Sequence, residues 1–314
     1  MILFEINNML EPLVSVIIPN YCHEQYLDER IQTILNQTYQ NFELIILDDC
    51  STDNSKDVIN KYANNPHISH IVFNEINSGS TFIQWEKGFK LSQGEYIWIA
   101  ESDDSSDSRF LEKLVSTFQN NSNNILSFCC SMVIDNHGIP KDIIQKQRFN
   151  KTISGITFIK RYLSRDNIIY NASSVIFKKN ALYSIDKDYM KYKASGDWLF
   201  WIEICKLGDI TMIDLPLNNF RKHHYNITER HKCNGIQQYE NKLIYNKLNS
   251  LSILSKKELF IIKFNSIYNI LFNTSFNTKE TKAMVIKEWN PSLFMYSICF
   301  LRKLRIDIIK TLNR

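Results

Sequence analysis

The run Val14-Ser15-Val16-Ile17-Ile18 is apolar and β-branched and stops at Pro19, which cannot donate to a sheet ladder. It predicts a buried strand ending there. Leu27, Ile31, Ile34 and Leu35 then recur at helical spacing, and a second apolar run from Glu43 to Leu47 closes on Asp48-Asp49. Ser51-Thr52-Asp53-Asn54-Ser55 is capping chemistry ahead of the apolar face of Val58, Ile59 and Tyr62. Ile68 to Phe73 predicts a third strand, Phe82 to Leu91 a helix, and Tyr96 to Ala100 a fourth strand ending on Glu101-Ser102-Asp103-Asp104. Strands alternating with helices in this way predict βαβ units and a mostly parallel sheet.

Beyond residue 120 the alternation loosens. Ile125 to Ile134 and Ser173 to Phe177 read as strands, Trp198 to Leu207 as a helix, and Asp209 to Leu215 as a short strand. From about Tyr239 the pattern is mostly helical, carried by Leu243, Ile244, Leu248, Leu251 and Leu254 and then Leu259, Ile262, Phe264 and Ile267. The expected organisation is an N-terminal extension (1–11), an α/β domain (12–228) and a C-terminal helical region (229–314). No stretch approaches the roughly 20 apolar residues that a membrane span requires.

The net charge of +4 is unevenly placed: residues 282–314 carry seven basic residues against two acidic ones, which leaves residues 1–281 at −1. A near-neutral body speaks against nucleic acid as partner. The basic tail projects as a helix with Phe294, Ile298, Leu301, Leu304, Ile308, Ile309 and Leu312 on one arc and Lys303, Lys310 and Arg314 opposite, Arg305 intruding on the apolar side. Two placements stay open for it, packing on the body or lying on an anionic membrane surface. The seven cysteines are scattered, without a C-x-x-C pair, so neither a disulfide framework nor a zinc ribbon is expected. With no basic leader near Met1, the expectation is a cytoplasmic protein, peripheral at the inner face of the cytoplasmic membrane if the tail binds lipid.

In open α/β sheets ligands bind beyond the carboxyl ends of the strands. Three of those ends carry polar clusters here: Pro19-Asn20-Tyr21, Asp48-Asp49 and Glu101-Ser102-Asp103-Asp104. Neither a G-x-G-x-x-G nor a P-loop sequence is present, so a phosphate ligand has to be met another way. Carboxylates repel a diphosphate unless a divalent cation lies between them, and hard oxygen ligands favour Mn²⁺ or Mg²⁺.

The segments Val14 to Tyr21, Gln37-Thr38-Tyr39-Gln40-Asn41-Phe42-Glu43, Leu47 to Ser55, Asn77-Ser78-Gly79, Gly94 to Asp104, Gly196-Asp197-Trp198 and Phe220-Arg221-Lys222-His223 occur in an order that resembles the family 2 glycosyltransferases. The resemblance covers roughly residues 12 to 228. It implies a GT-A fold, a Rossmann-like mostly parallel sheet flanked by helices with a C-terminal helical extension, and a nucleotide-diphosphate-sugar donor. Inversion at the anomeric carbon is part of the same implication. Pro19, Tyr21 and Asp49 fall where the family holds the donor base, Glu101, Ser102 and Asp103 on its D-x-D motif with Asp103 as the metal ligand, and Asp197 where it keeps the general base. His223, in a pattern downstream of the base, falls where it could meet the diphosphate or the metal.

The implied reaction moves one sugar to a hydroxyl of a glycan or lipid-linked acceptor, a precursor of capsule, O-antigen or a similar surface glycan. A non-catalytic nucleotide-sugar-binding or scaffold protein of the same fold is the alternative. A nucleotidylyltransferase would need a basic Gly-rich loop that Asn20 to Gln25 does not supply, and a processive synthase would need a Q-x-x-R-W sequence, which is absent. Blander roles exist for single residues: Asp48-Asp49 as a helix cap, Asp197 as an N-cap, and Trp85, Trp98, Trp198 and Trp201 as core.

Overall fold

The computed structural model describes residues 11–144, 150–222 and 227–312. By packing, these divide into two units. The first runs to Gly155 and adds Ile168–Ile185 and Leu207–Lys222; the second holds Ile156–Asn167, Asp186–Lys206 and the described residues beyond 226.

The first unit is built on β1 (Val14–Asn20), β2 (Phe42–Asp48), β3 (Ile68–Phe73) and β4 (Tyr96–Ile99), side by side in the order β3-β2-β1-β4 and parallel throughout. Every residue of β1 and β2 is buried, as a parallel sheet covered on both faces requires. Between these strands run α1 (Glu24–Leu35), α2 (Ser55–Asn60) and α3 (Thr81–Leu91). Leu27, Ile31 and Ile34 of α1 enter one core with Val14, Val16 and Ile18 of β1. The same core receives α4 (Phe110–Asn120), which was not anticipated from the sequence although Phe110, Leu111, Leu114, Val115 and Phe118 repeat at helical spacing. Gly94, in the turn from α3 to β4, is obligatory for space: a Cβ there would stand 2.6 Å from the Ser15 backbone nitrogen and 2.7 Å from the Leu13 carbonyl.

Past β4 the sheet becomes mixed. The remaining strands are β5 (Ser105–Ser106), β6 (Asn124–Ile134), β7 (Pro140–Ile143), β8 (Lys151–Ser154), β9 (Val175–Lys178) and β10 (Asp209–Arg221). β9 lies antiparallel between β4 and β6, and β6 pairs in parallel with β10, whose other neighbours β5 and β8 run against it. The short strand expected at Asp209 to Leu215 continues to Arg221 because the ladder shifts register around Pro216, which has no N–H to donate, and then resumes. That continuation carries Arg221 to the end of the sheet where the acidic turn lies.

The second unit is helical. After α5 (Gly155–Phe158) and a π-helical turn at Ile159–Leu163 come α6 (Gly196–Cys205), α7 (Ile227–Cys233), α8 (Ile236–Ser250), α9 (Lys256–Phe272), α10 (Lys279–Trp289) and α11 (Leu293–Leu312). Ser255 and Glu258 form a capping box at the start of α9. Ile267, Tyr268 and Ile270 of α9, Val285 and Trp289 of α10, and Met295 and Cys299 of α11 make a core of their own.

α11 packs by a stripe the sequence projection did not pick out. Met295 and Cys299 are buried, and Arg302 stacks over Tyr268 at 4.5 Å and donates to Asn265 at 2.9 Å. The projected apolar arc points elsewhere: Phe294, Leu301, Leu304, Ile308 and Ile309 are all exposed. Among the described residues no helix is long and apolar enough to cross a membrane.

Candidate active site

The strand order reverses direction at β1, with β2 on one side and β4 on the other, so the crevice beyond the carboxyl ends of β1 and β4 is a topological switch point. Pro19 and Asn20 close β1, Asp48 and Asp49 close β2, and Glu101 to Asp104 follow β4. Pro19, Tyr21, Asp49, Glu101 and Ser102 are thus gathered at one end of one sheet. Tyr21 is half exposed there, while Pro19 is buried within β1.

Two of the aspartates are framework. Asp48 is fully buried and accepts from Asn20 Nδ2 at 2.8 Å through one oxygen and from the Ser51 backbone N–H at 3.0 Å through the other. It ties the loop after β1 to the loop after β2. Those loops turn sharply: Cys22 and Cys50 both sit in the left-handed region, at φ 55° and 62°, a conformation costly for a side chain with a Cβ. Asp104 is 1 % exposed and accepts from the Arg221 backbone N–H (2.9 Å), Asn171 Nδ2 (2.8 Å) and Ser173 Oγ (2.7 Å), binding the acidic turn to β10 and the segment before β9.

Asp49 organises the loop ahead of α3. Its Oδ1 accepts from Asn74 Nδ2, the Ser78 backbone N–H and Gln84 Nε2, and its Oδ2 from Ser78 Oγ at 2.7 Å. Of the two oxygens, Oδ2 is the less occupied and is the one with capacity for a ligand. Ser102 is buried and shares a 2.8 Å hydrogen bond with His23 Nδ1, so its hydroxyl is engaged within the protein.

Glu101 and Asp103 are the half-buried members of the turn. Trp85 Nε1 donates to Glu101 at 3.2 Å, and Ser173 Oγ accepts from its backbone N–H. Burial pushes the Glu101 carboxyl up to about 8, with the neighbouring Asp103 and Asp104 adding to it. Burial and Asp103 likewise raise Asp104. This is negative charge short of compensation. Asp104 is consumed by its three donors, which leaves Glu101 and Asp103 as hard oxygen donors. Among the described residues no group of three or more His, Cys, Asp or Glu side chains stands ready to hold an ion by itself. One or two carboxylates at the mouth of a crevice fit a Mn²⁺ or Mg²⁺ ion that draws its other ligands from a diphosphate.

Two arginines support this turn: Arg221, which the sequence reading met only as part of a motif and gave no role, and Arg30, which it did not single out. Arg221 is buried, lies 4.6 Å over the Tyr26 ring, and donates from Nε to the Asp103 carbonyl (2.8 Å) and from Nη2 to Glu29 (2.6 Å). It holds the backbone of the acidic turn rather than the acids. Arg30, on α1, is fully buried 4.9 Å from the Trp98 ring, and no guanidinium nitrogen has a hydrogen-bond partner among the described residues. Burial lowers it to about 10 against the opposing pull of Asp104, Asp103 and Glu101. An arginine in an otherwise apolar helical stripe, at the position of a core residue, was the available signal.

Asp197 belongs to the second unit. Ser195 is the N-cap of α6 and Asp197 is in its first turn, where a carboxylate is favoured by the helix dipole. Asn167 Nδ2 donates to Asp197 Oδ2 at 2.9 Å. Burial nevertheless pushes its carboxyl up to about 6, with the Glu240 charge contributing in the same direction and the Trp198 backbone and Asn167 opposing. Glu240, on α8, accepts from the backbone N–H groups of Lys193, Ala194 and Ser195 at 2.6, 2.9 and 2.8 Å. That buried carboxylate sets the loop leading into α6 and was invisible in the sequence. His223 lies outside the described residues.

The family model for glycosyl transferase family 2 matches residues 15–187, more than half of the chain, and the chain belongs to that family. Among relatives, the poly(ribitol-phosphate) β-N-acetylglucosaminyltransferase TarP of Staphylococcus aureus is 32% identical over 200 residues, covering 60% of this chain and 56% of TarP. The chain spans about half the length of the curated relatives it matches. The crystal structure of S. aureus TarS residues 1–349 in complex with UDP-GlcNAc is similar with a TM-score of 0.66 at 20% identity, over 88% of this chain and 79% of that one. The mannosyltransferase PcManGT of Pyrobaculum calidifontis, in complex with GDP-Man and Mn²⁺, is similar with a TM-score of 0.56 at 13% identity, over 94% and 81%. These structural likenesses establish the α/β fold of the GT-A type.

Proposed function

We propose that this chain transfers one sugar from a nucleotide-diphosphate sugar to a hydroxyl of a cell-surface polymer or its lipid-linked precursor, with inversion at the anomeric carbon. The observation that carries the reading is the cluster at the switch point: Asp49 with Oδ2 lightly used, and the Glu101 carboxyl raised by burial and by the neighbouring Asp103 and Asp104, in a family 2 chain. Pro19, Tyr21 and Asp49 bind the base and ribose side of the donor. Glu101 and Asp103 would hold Mn²⁺ or Mg²⁺, which when bound supplies positive charge against the negative charge that develops on the leaving diphosphate.

Asp197 is the general base. In its ionised form the carboxylate accepts the proton of the acceptor hydroxyl as that oxygen bonds to the anomeric carbon. The bond from the same carbon to the diphosphate oxygen breaks, and its electron pair leaves with the nucleoside diphosphate. A pKa of about 6 suits this: ionised at neutral pH, yet basic enough to take a proton in the transition state. TarP and TarS act in ribitol-phosphate polymer chemistry, and TarS binds UDP-GlcNAc, which favours a UDP-N-acetylhexosamine donor and an anionic polymer acceptor here. His223 is kept as a diphosphate contact in this proposal.

The direct test is transfer and hydrolysis with UDP-, GDP- and dTDP-sugars, with Mn²⁺ present and after chelation. Turnover of at least one donor, lost on chelation, is expected. Failure with every donor removes the transferase reading and leaves the scaffold alternative.

The exposed arc of α11 supports attachment to an anionic membrane surface at the cytoplasmic face. Leu301, Leu304 and Ile308 are exposed on a helix whose segment carries an excess of basic residues, and Arg305 is long enough to snorkel from the apolar side.

A further inference from the structure

The second unit contains a cavity of about 430 Å³ that the reaction as described leaves unused. Its wall is continuous with the segments that hold Asp197. Trp198 is the next residue along α6, and Ser164, Arg165 and Asp166 directly precede Asn167, the side-chain donor to Asp197. Trp198 is fixed in turn, its indole N–H donating to the Leu163 carbonyl at 2.8 Å.

The lining is polar and partly unsatisfied. Gln238 is 7 % exposed, its backbone carbonyl accepts from Trp289 Nε1 at 3.0 Å, and its side-chain Oε1 has no partner among the described residues. A buried acceptor without a donor forfeits the hydrogen bond it made in water, so a ligand that brings an O–H or N–H recovers it. Asn241 also lines the cavity; its Oδ1 accepts from Ser195 Oγ, the N-cap of α6, and its amide carries the donor Nδ2 besides. Arg165 and Lys232 add two cations against the single carboxylate of Asp166. An orphan acceptor, an amide donor, an indole wall and net positive charge together fit a hydroxyl-rich unit bearing a phosphate.

We propose that this cavity is an acceptor subsite that holds a polyol-phosphate or sugar-phosphate unit of an anionic chain and so sets which hydroxyl Asp197 deprotonates. The proposal rests on the reading of Asp197 as general base. Gln238 and Asn241 meet hydroxyl and ester oxygens, and Arg165 with Lys232 meets the phosphate.

The test uses the full chain carrying Asp197→Asn, which stops turnover and lets binding be titrated. The probes are a synthetic hexamer of ribitol phosphate and the neutral hexasaccharide maltohexaose, followed by calorimetry and by saturation-transfer NMR. The phosphate hexamer is expected to bind at least tenfold more tightly than maltohexaose and to weaken with salt. Adding Arg165→Glu, a charge reversal at an exposed side chain, should weaken the hexamer by a further tenfold or more while leaving the affinity for UDP unchanged. Gln238→Leu should weaken both probes, and Arg165→Glu keeps the test open if that variant does not fold. Equal affinity for the two probes, or a hexamer affinity indifferent to Arg165→Glu, overturns the proposal. Failure of the transferase reading is seen separately, as absence of turnover in the unsubstituted chain with every donor.

Discussion

The carboxylates that hold the loops of the sheet unit and the Asp197 carboxylate of the helical unit are treated differently by their surroundings. In the sheet unit Asp48, Asp49 and Asp104 are almost wholly buried, and each accepts from two to four protein donors. In the helical unit Asp197 has one side-chain donor, Asn167, and stays partly exposed. A carboxylate surrounded by donors is held in place, so it shapes loops. Asp197, with one side-chain donor and a carboxyl pushed up by burial to about 6, retains the capacity to take up a proton. The comparison separates architecture from chemistry among residues that look alike in the sequence.

Substitution at Asp197 gives the largest effect expected from this contrast. Asp197→Asn is predicted to lower kcat by about 10²- to 10⁴-fold, the usual worth of a general base, while the dissociation constant for the donor nucleotide changes less than twofold. Steady-state kinetics and a nucleotide titration check it, and near-normal turnover would end the assignment. The pH profile belongs to the same prediction. The base is active as the carboxylate, so log kcat should rise with pH and level off above an inflection near 6. For stability the sign is opposite: a carboxyl raised on folding from 3.8 to about 6 binds more protons when folded, so its contribution is present below about 4 and lost as pH rises through 6. Asp197→Asn should therefore be neutral or slightly stabilising at pH 7.

Asp49 should show the reverse balance. Asp49→Ala abandons the donors of Asn74 and Ser78 in a half-buried loop and of the buried Gln84, and a loss of about 3 kcal/mol in chemical denaturation is expected. If Asp197→Ala destabilised as much as Asp49→Ala, the distinction between the two kinds of carboxylate would fail. Gly94→Ala, which forces a Cβ onto the backbone of β1, should cost about 2 kcal/mol and act on the sheet unit alone. The smallest effect on stability is expected at the exposed arc of α11. Leu304→Asp should shift unfolding by less than about 0.5 kcal/mol yet abolish co-flotation with vesicles containing anionic lipid. Unaltered flotation would assign α11 to packing only.

Much of the sheet was legible. β1, β2 and β4 are apolar runs closed at Asn20, one residue past the expected stop at Pro19, at Asp48-Asp49 and before Glu101, and the helices between them follow a 3.6 period, so local pattern and tertiary placement largely agree. The antiparallel insertion of β9 between β4 and β6 was not, because it joins segments far apart in the chain and leaves no periodic trace. Helix α11 shows a subtler limit. Its strongest apolar arc suggests the packed side, yet the stripe of Met295, Cys299, Arg302 and Ile306 is what meets α9, since Arg302 can lay its guanidinium on Tyr268 and Phe264. A hydropathy projection counts that arginine as polar surface and misses its stacking.

What the amino-acid sequence determined by itself is the set of strand ends and the acidic and polar residues on them, because strand periodicity and chain-terminating residues are local properties. Asp49, Glu101 and Asp103 lie on those ends, while the roles expected of them, and Asp197 altogether, came from the resemblance to the family 2 glycosyltransferases. Only the tertiary structure decided which of the acids are spent on structure: Asp104 and Asp48 on the loops, Glu240 on the backbone ahead of α6, with Arg30 and Arg221 buried beside the acidic turn. Those assignments depend on donors brought from distant parts of the chain and on how far each group is removed from water, and neither quantity exists until the chain has folded.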